Sequence, residues 1–231
     1  MEALTVSDPA LDRCCWSRAH PRWIGKSICA VCDDVGVSTH AESAERKDRL
    51  WLVRHGETEW SKSGRHTSTT DLPLTAEGER IAASLTDRLA GHEFDLVLTS
   101  PRQRARRTAE LAGFPKAEVD DDLVEWDYGD YEGITTAEIR KTVPGWTIWD
   151  DPVPNGETPA QVSARLDRVN SRIAAVDGDV LVFGHSHALR ALTARWLELE
   201  VTEGRHFVLN TATISILGWE RGSPAIHQWN A

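Results

Sequence analysis

Short apolar runs between residue 49 and the C-terminus predict the strands of a sheet. The runs at 50–53, 94–98 and 180–183 are continuous rather than alternating, which is typical of strands buried on both faces. Two further segments, 213–219 and 225–229, are interpreted as closing strands near the C-terminus. The chain therefore offers enough strand segments for one central sheet.

Amphipathic segments between these runs predict helices. Thr75 is a favourable N-cap and Gly91 a helix terminator, and Ile81, Leu85 and Leu89 recur between them at helical spacing. Further helices are predicted at 102–111, 158–176 and 187–197, the second of them beginning with a capping box and a Pro at its first position. Alternating strands and helices indicate the class α/β, with three layers (α/β/α) around a mostly parallel, doubly wound sheet.

Residues 1–48 lack this regular pattern. We interpret them as an N-terminal extension, expected to be disordered, ahead of a single domain at 49–231. An alternative is a zinc site in the extension, with Cys29 and Cys32 as half of it and Cys14, Cys15 or His20 completing it, although the adjacent Cys-Cys pair does not fit the usual spacing of zinc ligands. All four cysteines lie in this segment: Cys14, Cys15, Cys29 and Cys32.

The composition narrows the classes of partner. A formal net charge of −10 disfavours non-specific binding to nucleic acid or to anionic lipid. An anionic substrate would therefore need a local basic pocket. No stretch approaches the ~20 apolar residues of a membrane span, and the N-terminus lacks the apolar region of a signal peptide. We expect a cytoplasmic protein without nucleic-acid or membrane partners.

Polar residues follow three of the predicted strands. Arg54 and His55 follow the first, Arg104 comes shortly after the second, and His185 follows the third. Ligands of open α/β sheets bind beyond the carboxyl ends of the strands, so these four side chains are expected to meet in one crevice. Guanidinium groups match phosphate oxygens bidentately and stay charged. The set therefore predicts a site for a phosphate dianion.

The segment 52–60, Leu-Val-Arg-His-Gly-Glu-Thr-Glu-Trp, resembles the signature of the histidine phosphatase superfamily, also called phosphoglycerate mutase-like. The match continues, in order and with sensible spacing, through 71–75, 100–105, 123–133, 156–158, 185 and 189–190. An Arg-His-Gly tripeptide alone would be a weak signal, whereas this ordered set is specific. Gly64-Arg65-His66-Thr67 and the segment 125–129 are similar to a bacterial acid phosphatase subgroup.

The resemblance implies a phosphoglycerate mutase-like fold and a phosphatase that works through a covalent phosphohistidine on His55. Arg54, Arg104 and His185 would hold the phosphate, with His185 acting best when protonated. Glu125 would be the general acid and base. A histidine nucleophile needs no metal ion or other cofactor, and we interpret the acidic run at 120–122 as a solvated loop rather than a magnesium site.

Four further residues are candidate substrate contacts. Ser61 stands where many family members have Asn, and Ser186 stands where Gly is common after the second histidine, so the backbone there must tolerate a side chain. Arg65 and His66 follow the signature in a loop, and they either contact the substrate beyond its phosphate or belong to a solvated loop.

Two other functions remain open on the same fold. A mutase of this family carries a long insertion between the segments matching 131–133 and 156–158; here that segment is short, which favours hydrolysis. A non-catalytic phosphate-binding module would typically have lost the nucleophile or an arginine, and both are present. The expected substrate is a small phosphomonoester, such as a sugar phosphate or a similar metabolite. A homodimer is compatible with the sequence.

Overall fold

The computed structural model describes residues 48–231. The expectations about a disordered extension, the four cysteines and a zinc site concern the chain before residue 48, outside the described residues. No helix within 48–231 has the length and apolar character needed to cross a membrane.

A six-stranded sheet forms the centre of the domain, in the order β3-β2-β4-β1-β5-β6. The strands β1 to β4 pair in parallel, β5 runs antiparallel to β1, and β6 completes a hairpin with β5. The predicted mostly parallel sheet with two closing strands is therefore confirmed. The strands are β1 Leu50–Arg54, β2 Leu96–Thr99, β3 Glu118–Val119, β4 Val180–Gly184, β5 Ile214–Glu220 and β6 Ser223–Gln228.

Helices connect the strands, and the predicted caps start two of them. The Thr75 hydroxyl accepts a hydrogen bond from the Gly78 N–H, and Thr158 forms a capping box with Gln161. The helices are α1 Glu59–Ser63, α2 Ala76–Leu89, α3 Gln103–Leu111, α4 Thr136–Ile139, α5 Pro159–Ala174 and α6 Ser186–Trp196. Short 3₁₀ segments occur at Asp121–Leu123, Gly129–Tyr131 and Val201–His206.

The sheet is buried on both faces, as the continuous apolar runs predict. In β1, Leu50 and Leu52 belong to one hydrophobic cluster, whereas Trp51 and Val53 belong to another on the opposite face. The first cluster includes the inner sides of α5 and α6, and the second includes those of α2 and α3. Full burial of a large apolar side chain stabilises the fold by about 1.5–3 kcal/mol.

The register places the carboxyl ends of β1, β4 and β2 side by side. Arg54 lies opposite Gly184, and Thr99 lies opposite Phe183. The residues that follow β1 and β2 are anchored to β4: the His55 N–H donates to the Gly184 carbonyl at 3.0 Å, and the Ser100 N–H donates to the Phe183 carbonyl at 3.0 Å. The fold thus brings three strand ends to one edge of the sheet.

The acidic run at 120–122 is not the solvated loop we expected. It enters the 3₁₀ turn Asp121–Leu123 and pairs with α5. Asp122 lies 2.6 Å from Arg168, and Asp120 lies 2.8 Å from Arg172. These ion pairs account for Asp120 and Asp122, whereas Asp121 is exposed. In the part of the chain that the structure describes, no group of three or more His, Cys, Asp or Glu residues is arranged to hold a metal ion.

Candidate active site

His55 lies immediately after β1, with its side chain only 5% exposed. Its ring Nδ1 is 2.7 Å from the carbonyl oxygen of Gly56. A carbonyl can only accept, so Nδ1 carries the proton, and in the neutral ring the lone pair is on Nε2. Burial, followed by the charges of Arg104 and Arg54, holds the pKa of His55 well below its usual value. His55 is therefore a neutral imidazole at neutral pH.

Gly56 allows the backbone beside His55 to pack closely. Its N–H donates to the Thr108 hydroxyl at 3.0 Å. A Cβ at this position would lie 2.6 Å from the carbonyl oxygen of Gly78, a distance that real Cβ atoms essentially never show. The glycine is required here by close approach to the first turn of α2, rather than by a positive φ angle.

His185 lies at the N-cap of α6 and is fully buried. Its Nδ1 accepts from the Nε of Arg104 at 3.2 Å, and its Nε2 is 2.7 Å from the Ser100 hydroxyl. A guanidinium can only donate, so Nδ1 is unprotonated and Nε2–H donates to Ser100. Burial, with the Arg104 charge next, lowers the pKa of His185 well below its usual value. This arrangement does not match the protonated ring that we expected. The rings of His55 and His185 are 5.2 Å apart.

Arg104, near the start of α3, is fully buried and held on three sides. Nη1 donates to the Thr70 carbonyl at 3.1 Å, and Nη2 donates to the carbonyls of Thr67 and Ser68 at 3.2 and 3.3 Å. With the bond to His185, these contacts occupy four of the five N–H groups of a guanidinium. Arg104 therefore offers a ligand one remaining N–H and a positive charge that Asp71, 4.0 Å from Nη1, partly offsets, rather than a free bidentate fork.

Glu132 organises the loop that holds Arg104, and sequence reasoning did not assign it a role. Its carboxylate accepts from the Ser68 N–H at 2.9 Å, the Ser68 hydroxyl at 2.8 Å and the Thr70 N–H at 3.0 Å. These bonds orient the carbonyls that contact Arg104. The only signal in the sequence was its position inside the matching segment 123–133.

Arg54 ends β1 and points its guanidinium toward the same crevice. Its Nη1 donates to the Leu209 carbonyl at 2.5 Å, whereas its Nε is buried without a protein acceptor. Burial lowers the pKa of Arg54, and the nearby charge of Glu125 opposes this effect. A buried N–H without a partner costs about 1–3 kcal/mol, so an unpaired Nε is best explained by a ligand contact.

Glu125 is buried at the N-terminus of α6. One carboxylate oxygen accepts from the N–H groups of Trp126 at 2.9 Å and Ala188 at 2.7 Å, and the other accepts from the His187 N–H at 3.1 Å. The first turn of a helix is a favourable place for a carboxylate. Its negative charge raises the pKa of Arg54 and of Arg104 and so opposes the effect of their burial.

His66 belongs to a wall of aromatic rings. It is 8% exposed and lies 4.5 Å from the ring of Tyr128 and 5.5 Å from that of Trp146. The Tyr128 hydroxyl in turn contacts Nδ1 of His187 at 2.5 Å. The solvated-loop interpretation is therefore wrong for His66. Burial lowers its pKa to about 4.

The other residues predicted to contact the substrate form no hydrogen bonds with His55, His185, Arg104 or Glu125. Arg65 is exposed, and its backbone pairs with Thr135. The Ser61 hydroxyl accepts from the Thr58 N–H at 2.8 Å and so completes the cap of α1. Ser186 is the first residue of α6 and has no positive φ angle, so the backbone accommodates its side chain. For these three residues, a substrate contact stays a prediction.

Comparison with known proteins shows which family the chain matches. The model of the histidine phosphatase superfamily (branch 1) matches residues 50–231. The chain is 45% identical over 185 residues to an acid phosphatase of Mycobacterium tuberculosis, covering 77% of this chain and 89% of that protein. It is 42% identical over 186 residues to the sedoheptulose 1,7-bisphosphatase of Saccharomyces cerevisiae, covering 66% and 69%.

Solved structures show the same fold. An open reading frame product of Mycobacterium tuberculosis superposes with a TM-score of 0.77 at 42% identity, covering 80% of this chain and 98% of that one. A mycobacterial glucosyl-3-phosphoglycerate phosphatase in complex with VO₃ superposes with a TM-score of 0.71 at 26% identity, covering 79% and 98%.

Proposed function

Because the chain belongs to the histidine phosphatase superfamily (branch 1), we propose that it hydrolyses small phosphomonoesters through a covalent phosphohistidine on His55. Its relatives include an acid phosphatase and a bisphosphatase, so the chain is a phosphoric monoester hydrolase. Sugar phosphates and similar metabolites are the proposed substrate class. The names of the yeast bisphosphatase and the mycobacterial glucosyl-3-phosphoglycerate phosphatase support this choice.

In the first proposed step, the Nε2 lone pair of His55 attacks phosphorus. The P–N bond forms as the ester P–O bond breaks, and Glu125, protonated at this stage, gives its proton to the leaving alkoxide. The charges of Arg54 and Arg104 offset the charge on the phosphoryl oxygens. The hydrogen bond from Nδ1–H to the Gly56 carbonyl supports the positive charge that develops on the ring.

In the second step, water attacks the phosphohistidine. Glu125, now a carboxylate, takes a proton from the water, the P–N bond breaks, and His55 recovers its lone pair. Inorganic phosphate leaves and Glu125 is protonated again, so the cycle returns to its start.

The observation that carries this proposal is the ring orientation of His55, because the Gly56 carbonyl leaves Nε2 as the basic nitrogen beside two guanidinium groups. The test is phosphate release from a panel of phosphomonoesters. We expect His55→Ala to be inactive and Glu125→Gln to lose about 10²–10⁴-fold in kcat. His206→Gln, an exposed histidine, is the matched control.

Three outcomes decide the test. Undiminished turnover by His55→Ala would remove His55 from its role. Activity that disappears with EDTA would contradict a mechanism without metal. Vanadate is expected to inhibit the wild type, because it can adopt the five-coordinate geometry of phosphorus in the transition state; no inhibition would argue against in-line transfer at this site.

A mutase is the second candidate, since a phosphoglycerate mutase of Bartonella bacilliformis is 31% identical over 204 residues. Hydrolysis is favoured by the short segment between 133 and 156. Isomerisation of 3-phosphoglycerate without net phosphate release would establish the mutase instead. A cytoplasmic location and a homodimer stay predictions, to be tested by cell fractionation and light scattering.

A further inference from the structure

Arg102 is a third arginine at the same edge of the sheet. It is the N-cap residue of α3, two positions after Ser100, whose hydroxyl lies 3.4 Å from the Arg102 N–H. The same hydroxyl contacts His185 at 2.7 Å. The backbone of Arg102 is thus linked through one serine to the ring that borders the phosphate site.

The guanidinium of Arg102 has no acidic partner among residues 48–231, and its Nε is buried without a protein acceptor. By contrast, Arg107 and Arg165 pair with carboxylates at 2.8 and 2.7 Å. The Nε of Arg102 is therefore a buried donor that no acceptor among the described residues contacts. Because a buried N–H without a partner costs about 1–3 kcal/mol, this group is better explained by a ligand than by folding.

The side chains of Arg102 and Arg104 do not point in the same direction. Residues two positions apart do not face each other on a helix, and Arg102 has the extended backbone of an N-cap, with φ −69° and ψ 135°. Arg104 turns its donors toward His185 and the loop at 67–70. Still, the charge of Arg102 helps to lower the pKa of both Arg104 and His185, so the group lies close to them.

We propose that Arg102 forms a second anion-binding subsite beside the transferred phosphate, so that the preferred substrates carry a second phosphate or a carboxylate on the alcohol portion. This inference rests on the proposed phosphatase function. A charged hydrogen bond to such a group would be equally strong in the bound substrate and in the transition state. It would therefore lower KM and leave kcat unchanged.

The test compares three substrates: fructose 1,6-bisphosphate, 3-phosphoglycerate and p-nitrophenyl phosphate. In Arg102→Gln, we expect kcat/KM to fall by about tenfold to a hundredfold, mostly through KM, for a substrate with a second anionic group. For p-nitrophenyl phosphate the change should stay within about twofold, and Arg102→Lys should recover part of the loss. Arg106→Gln, an exposed arginine of the same helix, controls for loss of charge.

Each outcome has a distinct meaning. A fall in kcat/KM for the bisphosphate alone identifies the second group as a phosphate. A fall for the phosphoglycerate alone identifies it as a carboxylate. An equal loss on all three substrates would assign Arg102 to the reacting phosphate and overturn the subsite. No loss on any of them would overturn it as well.

Binding measured without turnover separates the subsite from the proposed reaction. Calorimetric titration of His55→Ala and of His55→Ala/Arg102→Gln with the same three compounds should show weaker binding of the doubly anionic ones only in the double variant. If the wild type released no phosphate but this difference appeared, the proposed function would fail and the subsite would stand. The absence of any difference would refute the subsite alone.

Discussion

His66 provides a prediction about stability in acid. Its ring is enclosed by Tyr128 and Trp146, and burial lowers its pKa from 6.5 to about 4. The nearby Glu132 acts in the opposite direction but does not compensate for the burial. The perturbation we propose is His66→Phe, which keeps an aromatic ring in the wall and removes the titrating group.

The magnitude follows from linkage. Between pH 6.5 and 4 the unfolded chain binds a proton at His66 and the folded chain does not, so the free energy of unfolding falls as the pH falls. A difference of about 2.5 pKa units corresponds to about 3 kcal/mol when complete, and to about 2 kcal/mol at pH 5. Above pH 6.5 neither state is protonated, and the contribution of His66 is constant.

The assay is urea unfolding at pH 7 and pH 5. We expect the wild type to lose about 2 kcal/mol more than His66→Phe between these two values. His206→Gln, on the exposed 3₁₀ segment, should behave as the wild type does. The pKa values of His55, His185 and His187 are also lowered by burial, but these residues are common to all three proteins and cancel in the comparison. Equal losses in the wild type and in His66→Phe would refute the reasoning.

Two further variants test how the site is positioned. Glu132→Gln removes one acceptor from the loop bonds of Ser68, so we expect about tenfold lower kcat/KM because Arg104 is less firmly held, together with a lower Tm; unchanged phosphate release would contradict this role. Thr108→Val leaves the Gly56 N–H without its acceptor, and we expect about 1–3 kcal/mol lower stability with a reduced kcat, whereas Thr108→Ser should retain both. Equal behaviour of the two Thr108 variants would exclude the hydroxyl as the cause.

The sequence predicted the sheet well where burial was complete. Residues 50–53 of β1 and all of β4 are apolar, in keeping with the helices on both faces, and the parallel pairing of the two strands brings His55 and His185 together. The strand β3 was missed because it has only two residues, both exposed, which leave no apolar pattern. The helices α1 and α4, of five and four residues, are too short to show periodicity.

Contacts to the backbone could not be predicted from the sequence. Every residue has a backbone carbonyl like those that hold Arg104, and every residue except proline has an N–H like those that hold Glu125, so no residue type marks these contacts. Glu125 was identified through family resemblance alone. For the same reason the sequence suggested a free fork on Arg104, whereas its donors are largely occupied and the unpaired Nε atoms belong to Arg54 and Arg102.

The two strand-end histidines show why residue type alone does not assign a role. Each ring touches one group that fixes its tautomer, a carbonyl for Nδ1 of His55 and a guanidinium for Nδ1 of His185. The first contact leaves a lone pair on Nε2, and the second leaves a proton there. A nucleophile needs the lone pair, while a group that binds phosphate oxygens needs the proton. The tautomers of the two rings therefore follow from these hydrogen bonds. The Nε2 lone pair of His55 is left available, whereas the Nε2–H of His185 is donated to the Ser100 hydroxyl.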